Sequence, residues 1–473
     1  MGQASIIGSG PNGLAAAIVL AQAGLKVEVF EAEAQAGGAA RTLPLTLPGF
    51  LHDFGSAVYP MAVGSPFFST LPLGAQGLTW IHGAAPLAHP LDDGTAVILE
   101  RDLSDAEKAF GEDGRAWRSG VGPLAENWQD FAAEILGPVV HLPKRPFLLA
   151  RFGLNAVMPG TVFCRRFRSA RTRALFAGLA AHSFLSLDEP LSTAIGLVLG
   201  AAGHAVGWPV PRGGAQSITD ALAGHLRVLG GEVHLSRRIG ALSELLNQDM
   251  VDGLTLCDVS PRQLVAIAGE RLSASYRNTL GRFQPGPGAF KVDYALSEPI
   301  PWRAKECLRA ITVHLGGSFE EIAESEWAMA HGMHAERPFV LIAQPSLFDK
   351  TRAPAGKHVA WTYCHVPNGS TLDMTERIES QIERFAPGFR DCVLARHVSS
   401  PADLEAMDAN LIGGDISGGA MSISQTLFRP SIQGYATSDR NLYLCSASTP
   451  PGGGVHGMCG YHAARLALRR ARL

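Results

Sequence analysis

Paired cysteines and dense charge are both missing from this chain of 473 residues, and each absence narrows its chemistry. The seven cysteines (Cys164, Cys257, Cys307, Cys364, Cys392, Cys445 and Cys459) are dispersed and never form C-x-x-C. That excludes a redox-active dithiol and a cysteine-rich zinc site, and it suits a reducing compartment. Asp, Glu, Lys and Arg make up only 18% of the residues and leave a formal net charge of −3. Nucleic acid would require a basic field, so no nucleic-acid partner is expected. Leu191 to Gly207 is largely apolar but only seventeen residues long and glycine-rich, too short to span a bilayer. It reads instead as a buried helix. No basic segment precedes the first apolar run, so no signal peptide is expected. Ile6 stands where N-myristoylation needs Ser or Thr. His331 and His334 have no third ligand at metal spacing, and no metal site is expected. No internal repeat is found, and the 53 glycines cluster at turns.

What the chain has is enough apolar residue, 46%, to build a large core, over a length that suits two intimately connected domains. Its most informative stretch is Ala4 to Thr42. Ser5 to Ile7 reads as a short buried strand running into Gly8, Gly10 and Gly13, in G-x-G-x-x-G spacing. The first glycine permits the turn, the second lets backbone N–H groups approach a pyrophosphate, and the third lets the next helix pack close. That helix is expected over Leu14 to Ala23, stopped by Gly24, with a second parallel strand over Lys26 to Phe30. Glu31, at the end of that strand, is placed to accept from both ribose hydroxyls of an adenosine. Phosphate charge is expected on the helix N-terminus.

Gly37-Gly38 and Arg41-Thr42 follow, giving E-x(5)-GG-x-x-RT. This resembles the second signature of FAD-binding oxidoreductases of the glutathione-reductase-like class, and the resemblance implies FAD. Asp53-Phe54-Gly55 is similar to the segment that, in that class, passes beneath the isoalloxazine. From about Pro66 to Pro209 no clear parallel-strand signal is found. Helices dominate there, with amphipathic stretches at Asp105 to Trp117 and Val121 to Leu136. In Arg145 to Phe184, five arginines (Arg165, Arg166, Arg168, Arg171 and Arg173) alternate with Phe163, Phe167 and Leu175. Either a solvated helix face or an amphipathic edge touching anionic lipid headgroups accounts for them.

From Pro209 a glycine turn (Gly213-Gly214), a helix with Ile218, Leu222, Leu226 and Leu229 on one face, and a strand over Glu232 to Leu235 look like a second visit to the FAD domain. The resemblance puts an adenine-holding backbone at Ile239. It also implies a three-stranded meander before the strand Leu254 to Val259, which this chain has pruned. Further on, Phe290 to Leu296 alternates as a half-buried antiparallel strand does. Arg309 to Leu315, Pro338 to Gln344, His358 to His365 and Cys392 to Val398 are further expected strands. Ser318-x-x-Glu321 is a capping box opening a helix to Met329, and Thr375 to Phe385 is another helix.

Leu442 to Leu468 reads as strand, glycine-rich loop and helix, whose N-terminal amides should face the pyrimidine end of a flavin. The loop TPPGGGVHGMCG is similar to the C-terminal flavin signature of the phytoene desaturase-like family of carotenoid and retinoid oxidoreductases. GGDISGG and GWPVPRGG resemble one branch of it. No second G-x-G-x-x-G is present, so a full NAD(P) domain is not expected.

The implied fold is α/β: a glutathione-reductase-like Rossmann FAD-binding domain interleaved with a mixed β-sheet substrate domain and a helical cap. Segments 1–65, 209–285 and 409–473 would form the FAD domain, 66–208 the cap, and 286–408 the substrate domain. The implied cofactor residues are Gly8, Gly10, Pro11, Asn12, Gly13, Glu31, Gly37, Gly38, Arg41, Thr42, Ile239, Ser446, Gly454, Val455, His456 and Met458. The implied activity moves a hydride between flavin N5 and a long apolar, isoprenoid or polyene-like substrate, with quinone or dioxygen as external acceptor. Double-bond reduction, isomerisation and a non-catalytic FAD-binding scaffold are the alternatives. No catalytic base is named; His456 is placed for the role or for holding the loop. The expected location is the cytoplasm, with peripheral membrane contact through the arginine-bearing edge.

Overall fold

Short runs of aliphatic residue separated by helices favour a parallel sheet buried on both faces. The computed structural model, which describes residues 2–246 and 253–472, contains such a sheet. Its order is Leu442–Leu444, Leu254–Cys257, Gln3–Ile7, Lys26–Phe30, Glu232–His234, with every pairing parallel. Helix Pro11–Gln22 lies on it, packed between Gln216–Val228 and Met458–Ala471. It begins three residues before the expected Leu14 because a proline at the first turn needs no N–H partner and arrives with a helical φ. Between Glu232–His234 and Leu254–Cys257 a short helix, Ser243–Leu246, is formed. No strand of a meander occurs there among the described residues, and residues 247–252 lie outside them.

The second sheet has seven strands, in the order Val393–Ser399, Gly288–Leu296, His358–Val366, Val340–Ala343, Ala310–Leu315, Ala85–Pro90, Ala96–Leu99. Five match the expected strands to within two residues. The last two lie in 66–208, where no clear parallel-strand signal is read from the sequence, and correct that reading. Ala85–Pro90 contains two prolines and pairs in parallel with a strand more than two hundred residues away, so no local alternation announces it. A hairpin through Asp93-Gly94 then adds Ala96–Leu99 at the edge.

The cap helices are Leu103–Ala109, Gly114–Glu126, Trp128–Ile135, Pro146–Ala156, Ala170–Ala181 and Ser192–Ala205. The last packs against four of the others and buries Leu197 and Ala201 completely, as expected of a core helix. Arg171 bonds Thr95 Oγ1 and the Ala96 carbonyl, tying the cap to the sheet edge. Arg166 stacks over Phe163 at 4.1 Å and bonds Asn155.

The two faces of the seven-stranded sheet differ. Phe290, Val292, Val313, Ile342 and Cys364 point to one side and form an apolar core with helix Thr375–Phe385. Lys291, Asp293, His314, Trp361, Tyr363 and His365 point to the other, toward the cap and the parallel sheet.

Candidate functional site

The carboxyl ends of the parallel strands open on a cleft with about 1440 Å³ of space, counting the open solvent at its mouth. This is where open α/β sheets bind ligands, because the strand-to-helix turns leave amide groups and room there. Gly8, Gly10, Pro11, Asn12, Glu31, Gly38, Arg41, Ile239, Ser446, Gly454 and Val455 line it, coming from six separate stretches of chain. Gly13, Gly37, Thr42, His456 and Met458 do not line it; they shape it. A Cβ on Gly13 would meet the Gly8 carbonyl at 2.2 Å, so only glycine lets the helix start this close to the turn. Gly37 N–H donates to Ser9 Oγ at 3.2 Å, and Thr42 Oγ1 donates to Asp53 at 2.8 Å.

His456 is held away from the cleft. Its Nδ1 accepts from Met458 N–H at 3.0 Å, and its carbonyl accepts from Ser65. Burial pushes its pKa down to about 4, so the ring is neutral, with Nδ1 committed to the loop and Nε2 unpartnered among the described residues. The same bond takes the first amide of the C-terminal helix, which is then not free for a flavin.

Glu31 is tied to protein donors. Its Oε2 accepts from Ser9 N–H at 2.9 Å and Ser9 Oγ at 2.6 Å, and Oε1 accepts from Glu33 N–H at 2.9 Å. It therefore clamps the glycine turn, while Oε1 keeps a lone pair for a ribose hydroxyl.

Sequence reading missed two groups in the cleft and one behind its wall. Asp258, at the end of strand Leu254–Cys257, accepts from Gly13 N–H at 2.8 Å, so a carboxyl sits at the helix N-terminus. Burial pushes its pKa up to about 7, with Asp408 and Glu31 adding to the rise and the Gly13 bond opposing it. Asp408 also lines the cleft and is raised by burial. Arg429, 2% exposed, bonds no carboxylate among the described residues; it donates to the Gly418 carbonyl at 2.7 Å, and Gly418 lines the cleft. A carboxylate one residue past a strand and an arginine far along the chain carry no motif, so sequence spacing gave no signal for them.

Beneath the cleft, Asp53 and its neighbours meet the second sheet. Arg352 donates to Asp53 Oδ2 at 2.8 Å with both side chains buried. Lys291 is bonded to Asp293, and His52 Nδ1 lies 3.7 Å from Asp293. Burial lowers Lys291 and pushes His52 down to about 3, which leaves the imidazole neutral. Trp361 Nε1–H donates to the Gly55 carbonyl at 2.8 Å, fixing the Asp53-Phe54-Gly55 segment to the sheet.

The cleft fits a dinucleotide. Asn12 is buried at the first turn of the helix with Oδ1 unpartnered among the described residues. A carboxamide so placed has an N–H₂ to offer a phosphate. Gly10 and Gly38 leave open backbone where a Cβ would intrude, at 2.6 Å from Asp258 Oδ2 and 3.3 Å from Gly10 Cα respectively.

Comparison with known proteins agrees. Residues 6–68 match the family described as NAD(P)-binding Rossmann-like domain. The chain is 26% identical to pyridine nucleotide-disulfide oxidoreductase domain-containing protein 2 of Rattus norvegicus, over 98% of this chain and 93% of that protein. It is 25% identical to phytoene desaturase (neurosporene-forming) of Rhodobacter capsulatus, over 97% and 92% of the two chains. Among solved structures, an oxidoreductase from Methanosarcina mazei superposes with TM-score 0.64 at 17% identity, covering 99% and 100% of the two chains. Putrescine oxidase superposes with TM-score 0.61 at 15% identity, covering 100% and 99%. The full-length relatives and the dinucleotide cleft support an FAD-dependent oxidoreductase, with FAD as its cofactor, that is similar over its whole length to pyridine nucleotide-disulfide oxidoreductase domain-containing protein 2 and more distantly to phytoene desaturases.

Proposed function

We propose that this oxidoreductase desaturates a long apolar substrate of isoprenoid or polyene type that it draws from a lipid surface. The observation that carries the reading is the outer face of the cap. Val140, Leu142, Phe147 and Leu154 are 75%, 93%, 91% and 71% exposed. Lys144, Arg145 and Arg151 stand among them. Apolar side chains ringed by basic heads suit shallow insertion into an anionic lipid surface. The patch precedes the arginine stretch that the sequence suggested. As Arg166 and Arg171 do there, Arg145 and Arg151 have protein partners here, Asp130 at 2.8 Å and the Ser119 carbonyl at 2.6 Å, which among the described residues leaves Lys144 as the exposed cation beside the apolar side chains. Among the described residues no single helix is long and apolar enough to cross a membrane. The similarity to a phytoene desaturase supports the same substrate class.

Bound FAD supplies hydride transfer at its N5. The chain's part is to hold and shield. We assign the diphosphate to the glycine turn and Asn12, the ribose to Glu31, and the adenine to the backbone at Ile239. Arg41 donates to the carbonyls of Gly38 and Met407 at 2.7 and 2.9 Å and keeps that side of the cleft closed. Arg429 orders the Gly418 turn at the opposite end, beside Ser446 and Gly454. An external acceptor, quinone or dioxygen, takes the electrons onward.

The test is anaerobic titration of the FAD-loaded protein with polyenes and prenyl compounds carried in vesicles. Bleaching of the flavin absorbance is expected. Bleaching by amines alone would replace this reading with amine oxidation.

A further inference from the structure

The cap-facing side of the seven-stranded sheet carries a set of buried histidines that the FAD cleft does not use. His314, His365 and Glu326 are 0%, 5% and 0% exposed. His365 Nδ1 lies 2.7 Å from Glu326 Oε2, which accepts its proton. That bond fixes the tautomer, so His365 Nε2 keeps its lone pair. No group among the described residues bonds either His365 Nε2 or Glu326 Oε1. His314 and His182 face each other with Nε2 atoms 3.0 Å apart. Space around them is tight: a Cβ on Gly178 would meet His314 Nδ1 at 2.7 Å. No group suited to a metal ion is found among the described residues.

Unfilled acceptors this deeply buried are costly, and in native proteins they are paired with a donor from protein, water or ligand. Phe184 adds a second sign. Its ring lies tilted against His365 with centroids 4.0 Å apart, and its backbone is in the left-handed region at φ 57°. Such strain in a bulky residue persists where surrounding structure holds a side chain in one place, and it gathers at ligand sites.

The set is joined to the flavin side. Trp361, Tyr363 and His365 alternate along one strand, with ring centroids 5.1 and 5.5 Å apart. Trp361 is bonded to Gly55, and four residues of strand put His365 about 13 Å from it.

We propose that Glu326 and His365 form a receptor for the hydroxyl end of the apolar substrate, whose O–H donates to the free acceptor of the pair. The inference rests on the apolar-substrate reading above and narrows it to alcohols over pure hydrocarbons. A hydroxyl fills one acceptor without introducing charge, whereas a hydrocarbon would leave both unfilled.

The experiment uses the FAD-loaded protein and three probes of one skeleton: geranylgeraniol, the matching hydrocarbon without the hydroxyl, and geranylgeranyl amine. Binding is read by quenching of tryptophan fluorescence, since Trp361 and Trp208 flank the set. The alcohol is expected to bind about tenfold more tightly than the hydrocarbon. His365→Phe removes the acceptor and should bring the two to within about twofold, with hydrocarbon affinity unchanged. Glu326→Gln, nearly isosteric, keeps an amide oxygen for the Nδ1 proton and should retain the preference, and the flavin content of each variant reports whether it has folded. Equal affinities in the wild type, a preference that survives His365→Phe, or tighter binding of the amine would each overturn the inference. Flavin bleaching by the hydrocarbon without any alcohol preference would leave the proposed function standing and end this inference alone. Failure of all three probes to bind would overturn the apolar-substrate reading and this one with it.

Discussion

The FAD cleft and the cap-facing side of the second sheet are built by opposite means. The cleft is shaped by backbone: glycines that clear space, amides at a helix end, and a few carboxylates that hold the turn. The sheet side is built by side chains from five or more separate segments, which pair across strands and across the domain contact. Backbone sites tolerate little at their glycines, while side-chain sites depend on every partner being present. The difference predicts where each region breaks.

The largest effect is expected at the contact between the two. Arg352→Met leaves the Asp53 carboxylate buried without its cation, and removal of one partner of such a pair typically costs about 3–5 kcal/mol. Urea denaturation measures it. A loss under about 1 kcal/mol, the range of exposed pairs, would mean that side-chain pairing does not hold this region.

A smaller loss is expected on the backbone-built side. Gly13→Ala drives a Cβ into the Gly8 carbonyl, an overpacking that costs about 1–3 kcal/mol. The same clash moves the turn, so the purified variant should carry less flavin per chain, as read from its absorbance. A full flavin content would show that the turn adapts more freely than its geometry suggests.

Asp258 sharpens the comparison through pH. Its folded pKa of about 7 lies above the ordinary value of 3.8. Between those values the folded chain keeps a proton that the unfolded chain has released, so stability contributed by this group falls as pH rises from about 4 to about 7. Asp258→Asn should flatten that part of the profile in FAD-free protein, checked by thermal melts across the window. An unchanged slope would assign the pH dependence to other groups, Asp293 among them, which burial pushes up to about 6.

The smallest effect on stability belongs to the cap surface. Leu142→Ser combined with Phe147→Ser should change it by less than about 0.5 kcal/mol, as for other exposed positions. Flotation with phosphatidylserine-containing vesicles should nevertheless be lost. Retained flotation would remove the lipid surface from the proposed function.

Legibility followed the same division. The glycine turn, the acid after the second strand, the flavin loop and five strands of the second sheet were readable because each depends on a local pattern: fixed spacing, a cap, or alternation. Asp258 and Arg429 were not readable, since each acts through a neighbour brought close only by folding. Ala85–Pro90 was missed for a related reason. Its strand character comes from a partner at Ala310–Leu315, not from its own prolines and alanines. His456 was visible as a loop residue, but its place beneath the helix start depended on the Met458 amide.

By itself the sequence determined the strand–turn–helix that shapes the cleft and the expectation of a dinucleotide there, because the requirements of a G-x-G-x-x-G turn are met within about thirty residues. The tertiary structure alone decided what lies opposite that site. Glu326 and His365, and His182 and His314, are separated by tens to more than a hundred residues and share no motif. They meet because antiparallel register puts alternate residues on one face, and because a cap helix closes over them. Hydrogen bonding acts over about 3 Å in space, and sequence separation places no bound on it.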